Sequence, residues 1–246
     1  MAQTLRPRPL NLWLYLGIPL ATVVALLLLE MTSLDMNVAD LFFDQSAGQF
    51  IGRHSYVLEN ILHDRVKQGV ILFGLLSIVG FAASFVFKGL YGWRRELGYL
   101  VLALGLSTAF VTPLKQLTQV QCPWSLTEFG GKETYSKLLD VRPATDKPGL
   151  CWPGGHAATG FCLFALFFVL RDRKPRAARA ALVLAFAAGS LLSLGRMMQG
   201  AHFLSHNIWT AVFCWTIALS CYYLVLYRPA MAHAPGRTGA GLAQSR

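Results

Sequence analysis

Three short stretches of this chain place cations and imidazoles where an anion could be held and attacked. Lys115 closes one apolar run; Pro153, Gly154, Gly155 and His156 open another; Arg196 ends a third, followed by His202 and, four residues on, His206. Arg offers a planar fork and Lys a point charge, and both suit the oxygens of a phosphoryl group. Amides at a helix start favour an anion, and glycines let the backbone come close to it. A histidine titrating near neutrality can attack, or give and take a proton. The residues therefore predict phosphoryl transfer. Lys115, Arg196, Gly154 and Gly155 are the candidate phosphate-binding groups, and His156, His202 and His206 the candidate catalytic ones. A second chemistry stays open, because a His pair four apart on a helix also suits zinc, with His156 as a third ligand. No Glu lies between the pair, so the metalloprotease pattern is absent. Singly, each residue has a plain structural role: a Lys snorkels, a Gly pair turns, a His satisfies a helix start.

What could carry these residues is set by composition. Only 14% of the 246 residues are charged, against about 25% in a soluble domain. No polar stretch is long enough for a separate soluble unit. One membrane-embedded domain is therefore predicted over residues 12–227, between an N-terminal segment, 1–11, and an Ala/Gly-rich flexible tail, 228–246. A span needs roughly 20 mostly apolar residues. Six stretches qualify: Leu12 to Leu29, Gln68 to Phe87, Leu97 to Leu114, Gly155 to Leu170, Ala180 to Met198, and His206 to Tyr227. The fold class predicted is all-α, a six-span transmembrane helix bundle. The first run is longer than a signal-peptide core and reads as a retained anchor. The fifth is rich in Ala, Gly and Ser, which lets backbones approach closely, and is expected at the centre of the bundle. Arg53 to Gln68 reads equally as a short interfacial helix or as a connector.

The net charge of +10 would suit a nucleic acid, but its distribution points elsewhere. Residues 1–11, 88–96, 171–179 and 228–246 hold thirteen of the 22 Lys and Arg and only two of the 12 Asp and Glu. Basic residues gather on the cytoplasmic side of membrane proteins. Both termini are therefore expected in the cytoplasm, with all three chemical stretches on the opposite face. The basic charge is a topology signal and no nucleic-acid partner is expected.

In order and spacing, these stretches resemble the three blocks of the type 2 phosphatidic acid phosphatase family. The family pattern is Lys, six residues, Arg-Pro; then Pro-Ser-Gly-His; then Ser-Arg, five residues, His, three residues, Asp. Here Lys115 is followed after six residues by Cys122-Pro123, the second block is Pro153-Gly154-Gly155-His156, and the third is Gly195-Arg196, His202 and His206. The similarity covers about residues 97 to 226. Cys122 stands for the family Arg, Gly154 and Gly195 for its Ser residues, and His206 for its Asp. The resemblance implies a metal-independent lipid phosphatase or phosphotransferase without cofactors. His202 would form a phosphohistidine, and His156 would protonate the leaving oxygen and later activate water. Implied substrates are phosphatidic acid, phosphatidylglycerol phosphate, polyprenyl diphosphate or lipid A phosphate, at the periplasmic face of a bacterial inner membrane. The alternative is a weak or inactive relative that only binds lipid phosphates.

The departures shape further expectations. A neutral His206 could accept the second ring proton of His202 but could not stabilise an imidazolium as a carboxylate does, a loss of up to about 10⁴-fold by analogy with a triad Asp-to-Asn change. Asn207, adjacent to it, is expected to point away from the site. Lys132, Lys137, Arg142 or Lys147 could replace the missing Arg, with solvated loop charges as the plainer reading. Cys122 and Cys151 share the outer loop, and a disulfide between them would tie the first block to the second; simple packing is the alternative. Trp124 and Trp152 could shape a lipid entrance or serve as interfacial anchors.

Overall fold

The structure, a computed structural model, describes residues 9–227 apart from 143, 144 and 146. The tail expected to be flexible lies outside the described residues, as do most of the N-terminal segment, Pro143, and the side chains of Ile61 and Leu62. The chain is mostly helical. A π-helical lead-in, Trp13–Gly17, runs into α1 (Ile18–Leu29), which turns by 81° into α2 (Leu34–Asp40). A short hairpin follows, β1 (Phe43–Asp44) with β2 (Gln49–Phe50), antiparallel with Phe43 opposite Phe50. The stretch read as helix or connector is π-helical over Val57–Arg65 and feeds α3 (Val66–Ala83).

The third expected span is two helices, α4 (Arg94–Ala109) and α5 (Val111–Thr118). Pro113 explains the break: it brings no amide to the helical ladder, and its ring collides with the carbonyl four residues back, at Ala109, where α4 stops. After the long loop that follows α5 come α6 (Gly155–Phe161) and α7 (Phe164–Leu170), interrupted at Cys162 and Leu163. α8 (Pro175–Met198) starts five residues earlier than expected, since a first-turn proline loses no hydrogen bond. α9 (Leu204–Val225) starts two residues early, which puts His206 in its first turn.

Among the described residues, four helical stretches are long and apolar enough to cross a membrane: Val66–Ala83, Lys88–Ser125, Pro175–Met198 and Leu204–Val225. The bent pair Trp13–Leu29 with Leu34–Asp40 would make a fifth, and Gly155–Leu170 is a shorter apolar helix. α3 leaves Ile71, Leu72, Leu75, Leu76 and Val79 exposed. A contiguous apolar surface of this kind needs an apolar solvent, and the protein is an integral membrane protein.

Small residues do bring helices together, though not as expected. One face of α8, with Ala178, Ala181, Ala185, Gly189 and Ser193, is buried, and it packs on α6 and α7. There the backbones almost touch: a Cβ on Gly160 would lie 2.5 Å from the Gly189 Cα. The other face of α8 shows Val183, Leu184 and Leu191 to the outside. The central helix is instead α9, which packs against α1, α4, α6, α7 and α8. Its Cys214, Ala218 and Tyr222 join Tyr99 and Ala103 of α4 and Ala157 and Phe161 of α6 in the main core. A second cluster of Phe50, Leu126, Phe129 and Phe203 packs just before the start of α9.

Candidate active site

Four of the five candidate side chains sit at helix ends. Lys115 is in the last turn of α5, His156 in the first turn of α6, Arg196 in the last turn of α8, and His206 in the first turn of α9. His202 lies in the turn between α8 and α9 and is buried. The Lys115 Nζ comes within 3.8 Å of where a Cβ on Gly155 would be, so the ammonium faces the start of α6. The rings of His202 and His206 are 6.1 Å apart. Arg196 donates to the Gln199 Oε1 at 2.7 Å, and its guanidinium lies 5.7 Å from the Trp124 ring. Burial first, and then the nearness of His206, Lys115 and Arg196, holds the His202 imidazole well below its usual range. It is therefore a neutral ring among cations, available as a nucleophile. His156, half-buried, follows Gly155 in the first turn of α6.

The second ring nitrogen of His202 does not go to His206. Its Nδ1 lies 2.7 Å from the Cys151 carbonyl oxygen. A carbonyl can only accept, so Nδ1 carries the proton and Nε2 keeps the lone pair. The same carbonyl also lies beside the His206 ring, whose Nδ1 is buried without a hydrogen-bond partner. The expected His–His pair is thus replaced by a backbone acceptor, which no reading of side-chain types could reveal.

Two further residues depart from expectation. The Gly154 amide donates to the Thr210 hydroxyl at 2.9 Å, so it is spent inside the bundle, and anion-facing amides at this helix start can come only from Gly155 onward. Asn207 points toward the second block rather than away from it: its Oδ1 lies 2.7 Å from where a Cβ on Gly154 would be. That oxygen is buried and unpaired, while Nδ2 donates to the Phe203 carbonyl at 2.9 Å.

Arg142 spends its guanidinium on the carbonyls of Leu138 at 2.9 Å and Lys137 at 3.3 Å, bracing its own loop. Trp152 is buried against Trp209 and Phe213, at 5.9 and 5.7 Å between rings. Trp124, by contrast, is partly exposed beside Arg196. Cys122 and Cys151 form a disulfide pair with Cα atoms 5.2 Å apart, and Cys162, Cys214 and Cys221 are buried free thiols. Among the described residues, no three His, Cys, Asp or Glu side chains are arranged to hold a metal ion. A residue outside all three blocks also reaches the region: Asp35 of α2 accepts the Ser205 amide at 2.9 Å and the Ser205 hydroxyl, fixing the start of α9 from 170 residues away.

Comparison with known proteins points to one family. A family model described as the PAP2 superfamily matches residues 96–230. The chain is 27% identical over 216 residues to a lipid A 4'-phosphatase of Francisella tularensis subsp. novicida (strain U112), covering 87% of this chain and 95% of that protein. The backbone is also similar, with a TM-score of 0.47 and 14% identity, to the crystal structure of a transmembrane PAP2-type phosphatidylglycerolphosphate phosphatase from Bacillus subtilis. That match covers 84% of this chain and 94% of the other.

Proposed function

Because the chain belongs to the PAP2 superfamily, we propose that this membrane phosphatase removes a phosphate from a lipid by way of a phosphohistidine on His202. One observation carries the reading: helix ends far apart in sequence bring the charges of Lys115 and Arg196 to His202, whose protonated Nδ1 is tied to Cys151. The cations neutralise the equatorial oxygens of the phosphoryl group. The His202 Nε2 attacks phosphorus as the bond to the lipid oxygen breaks, and His156 gives that oxygen a proton. Water then attacks the phosphohistidine, His156 takes its proton, and the phosphorus–nitrogen bond breaks to restore His202. These steps call on no metal or cofactor.

The site opens on the periplasmic face of a bacterial inner membrane, with both termini in the cytoplasm. The six spans are the five long ones, counting α1, and the shorter Gly155–Leu170. Charge asymmetry supports this orientation. Among phosphatidic acid, phosphatidylglycerol phosphate, polyprenyl diphosphate and lipid A phosphates, the relative named a lipid A 4'-phosphatase favours the last. The test is release of inorganic phosphate from these four lipids in detergent. His202→Ala should lower kcat/KM by at least about 10³-fold, and unchanged release would remove the proposed nucleophile.

A second reading is a lipid-phosphate binder without turnover. It is motivated by His206, whose neutral ring offers no carboxylate to an imidazolium. It predicts lipid binding with no phosphate release at any pH.

A further inference from the structure

We infer that the Cys151 carbonyl, held in place by the disulfide to Cys122, is the group that orients the nucleophile, taking over the positioning task a carboxylate would perform from residue 206. The inference rests on the reading of His202 as nucleophile. A nucleophilic imidazole needs one defined tautomer and one ring orientation, and an adjacent acceptor on the far nitrogen provides both. Here that acceptor is a backbone oxygen 2.7 Å from Nδ1. Residue 206 does not take the His202 proton, which the Cys151 carbonyl already engages.

A carbonyl orients a ring only if its own peptide is fixed, and Cys151 is fixed three times over. Its amide donates to the Val120 carbonyl at 3.0 Å. Its sulfur is joined to Cys122, 29 residues earlier. The next residue, Trp152, offers its carbonyl to the Thr118 hydroxyl at 3.2 Å and packs its ring on Trp209. Close approach of the two strands is built in: a Cβ on Gly149 would fall 2.1 Å from the Val120 oxygen. The segment 149–152 is thereby strapped to 118–122, and the strap ends at His202. Cys122 occupies the position where the phosphatase pattern carries Arg, and His206 the position of its Asp. The two departures belong together: the first builds the strap, and the strap supplies the acceptor that the second removed.

The experiment compares the parent protein with Cys122→Ser/Cys151→Ser, in detergent, with and without dithiothreitol. Phosphate release, trapped acid-labile phosphoenzyme, and the tautomer of 15N-labelled histidine are read together. Loosening the strap should lower kcat about 10- to 100-fold, with KM moving much less and the same loss in phosphoenzyme formation. His202 should show Nδ1 protonated in the parent and a mixture of tautomers in the variant. Dithiothreitol should reproduce the loss in the parent and leave the variant unmoved. The reduced parent keeps every native side chain, so the test survives if the double variant fails to fold. Full kcat after verified reduction, or an unchanged tautomer, overturns the inference, as does a raised KM at constant kcat, which would make the strap part of the lipid entrance. Those outcomes leave the phosphatase reading standing if His202→Ala is inactive; activity in His202→Ala instead overturns the phosphatase mechanism itself.

Discussion

At residue 154 a missing side chain and a neighbouring one are coupled. The family pattern has Ser there, yet in this molecule a Cβ would fall 2.7 Å from the Asn207 amide oxygen and 3.4 Å from the Thr210 hydroxyl. Asn207 occupies the space that a serine would need. Gly154→Ser should therefore overpack the site, costing about 1–3 kcal/mol, despite restoring the family residue. Adding Asn207→Ala should recover much of that loss, because the colliding atom is gone. Melting temperatures of the two single variants and the double variant in detergent check this; additive losses would show that the two positions do not share the space. His202 makes a second statement at this scale. Its ring is held neutral in the fold by burial first and then by neighbouring cations, whereas the unfolded chain protonates near its ordinary value of about 6.5. The unfolded state thus binds more protons at acid pH. The contribution of His202 to stability is complete above about pH 6.5 and is lost as pH falls toward the lower folded value. Melting scans from pH 7.5 to pH 5 should slope downward, and His202→Gln should flatten part of that slope; an identical slope would mean that another group carries it.

Among the elements, the contact between α6 and α8 fixes the second and third blocks relative to each other. It depends on Gly160 and Gly189, since a Cβ on Gly189 would fall 2.2 Å from the Phe161 ring. Gly160→Ala should push the helices apart and cost about 1–3 kcal/mol, with activity falling because Arg196 and His156 are carried by those two helices. Gly74→Ala on α3, where nothing lies within 4 Å, should be neutral or stabilising by up to about 1 kcal/mol. Melting curves and phosphate release for both variants decide the matter, and equal behaviour would sink the packing argument. Existence and order of these helices were legible in the sequence, because long apolar runs declare themselves. Breaks and centrality were harder to read. The stop at Ala109 follows from Pro113 and could have been read, but the 81° turn after Leu29 leads into the cluster of Phe50, Phe129 and Phe203 that receives Ala39 of α2. Small residues marked α8 correctly as a close-packing helix, yet they line only one face, while α9 takes the centre with larger side chains on several faces. Candidate residues could be picked out where side-chain type carries the proposed chemistry, as at Lys115, Arg196 and the histidines. The site was not legible where a backbone oxygen does the work, as at Cys151, or where a distant residue such as Asp35 caps the start of α9.

For the whole molecule, the chemistry depends on which face of the membrane the helix ends share. α5, α6, α8 and the turn before α9 bring Lys115, His156, Arg196 and His202 to one end of the bundle, and the loops and helix starts at the opposite end carry Lys88, Arg94, Arg95, Arg173, Lys174, Arg176 and Arg179. Part of that basic set is engaged locally: Arg173 pairs with Glu96, and Arg94 lies over the rings of Phe85 and Tyr91. These contacts tie the loop after α3 and the loop after α7 into one basic end. Insertion retains such charge on the cytoplasmic side, while the disulfide-strapped loop belongs in an oxidising compartment. Both arguments support the proposed orientation. A fluorescent protein that matures only in the cytoplasm, fused after Tyr227, should glow, and an alkaline phosphatase that folds only outside, fused after Leu139, should be active. Replacing Arg173, Lys174 and Arg176 by Gln should weaken both signals by removing charge next to α8. The reverse pattern, a dark C-terminal fusion with a silent loop fusion, would place the histidines in the cytoplasm, where a reducing pool would open the strap and a periplasmic lipid could not reach the site.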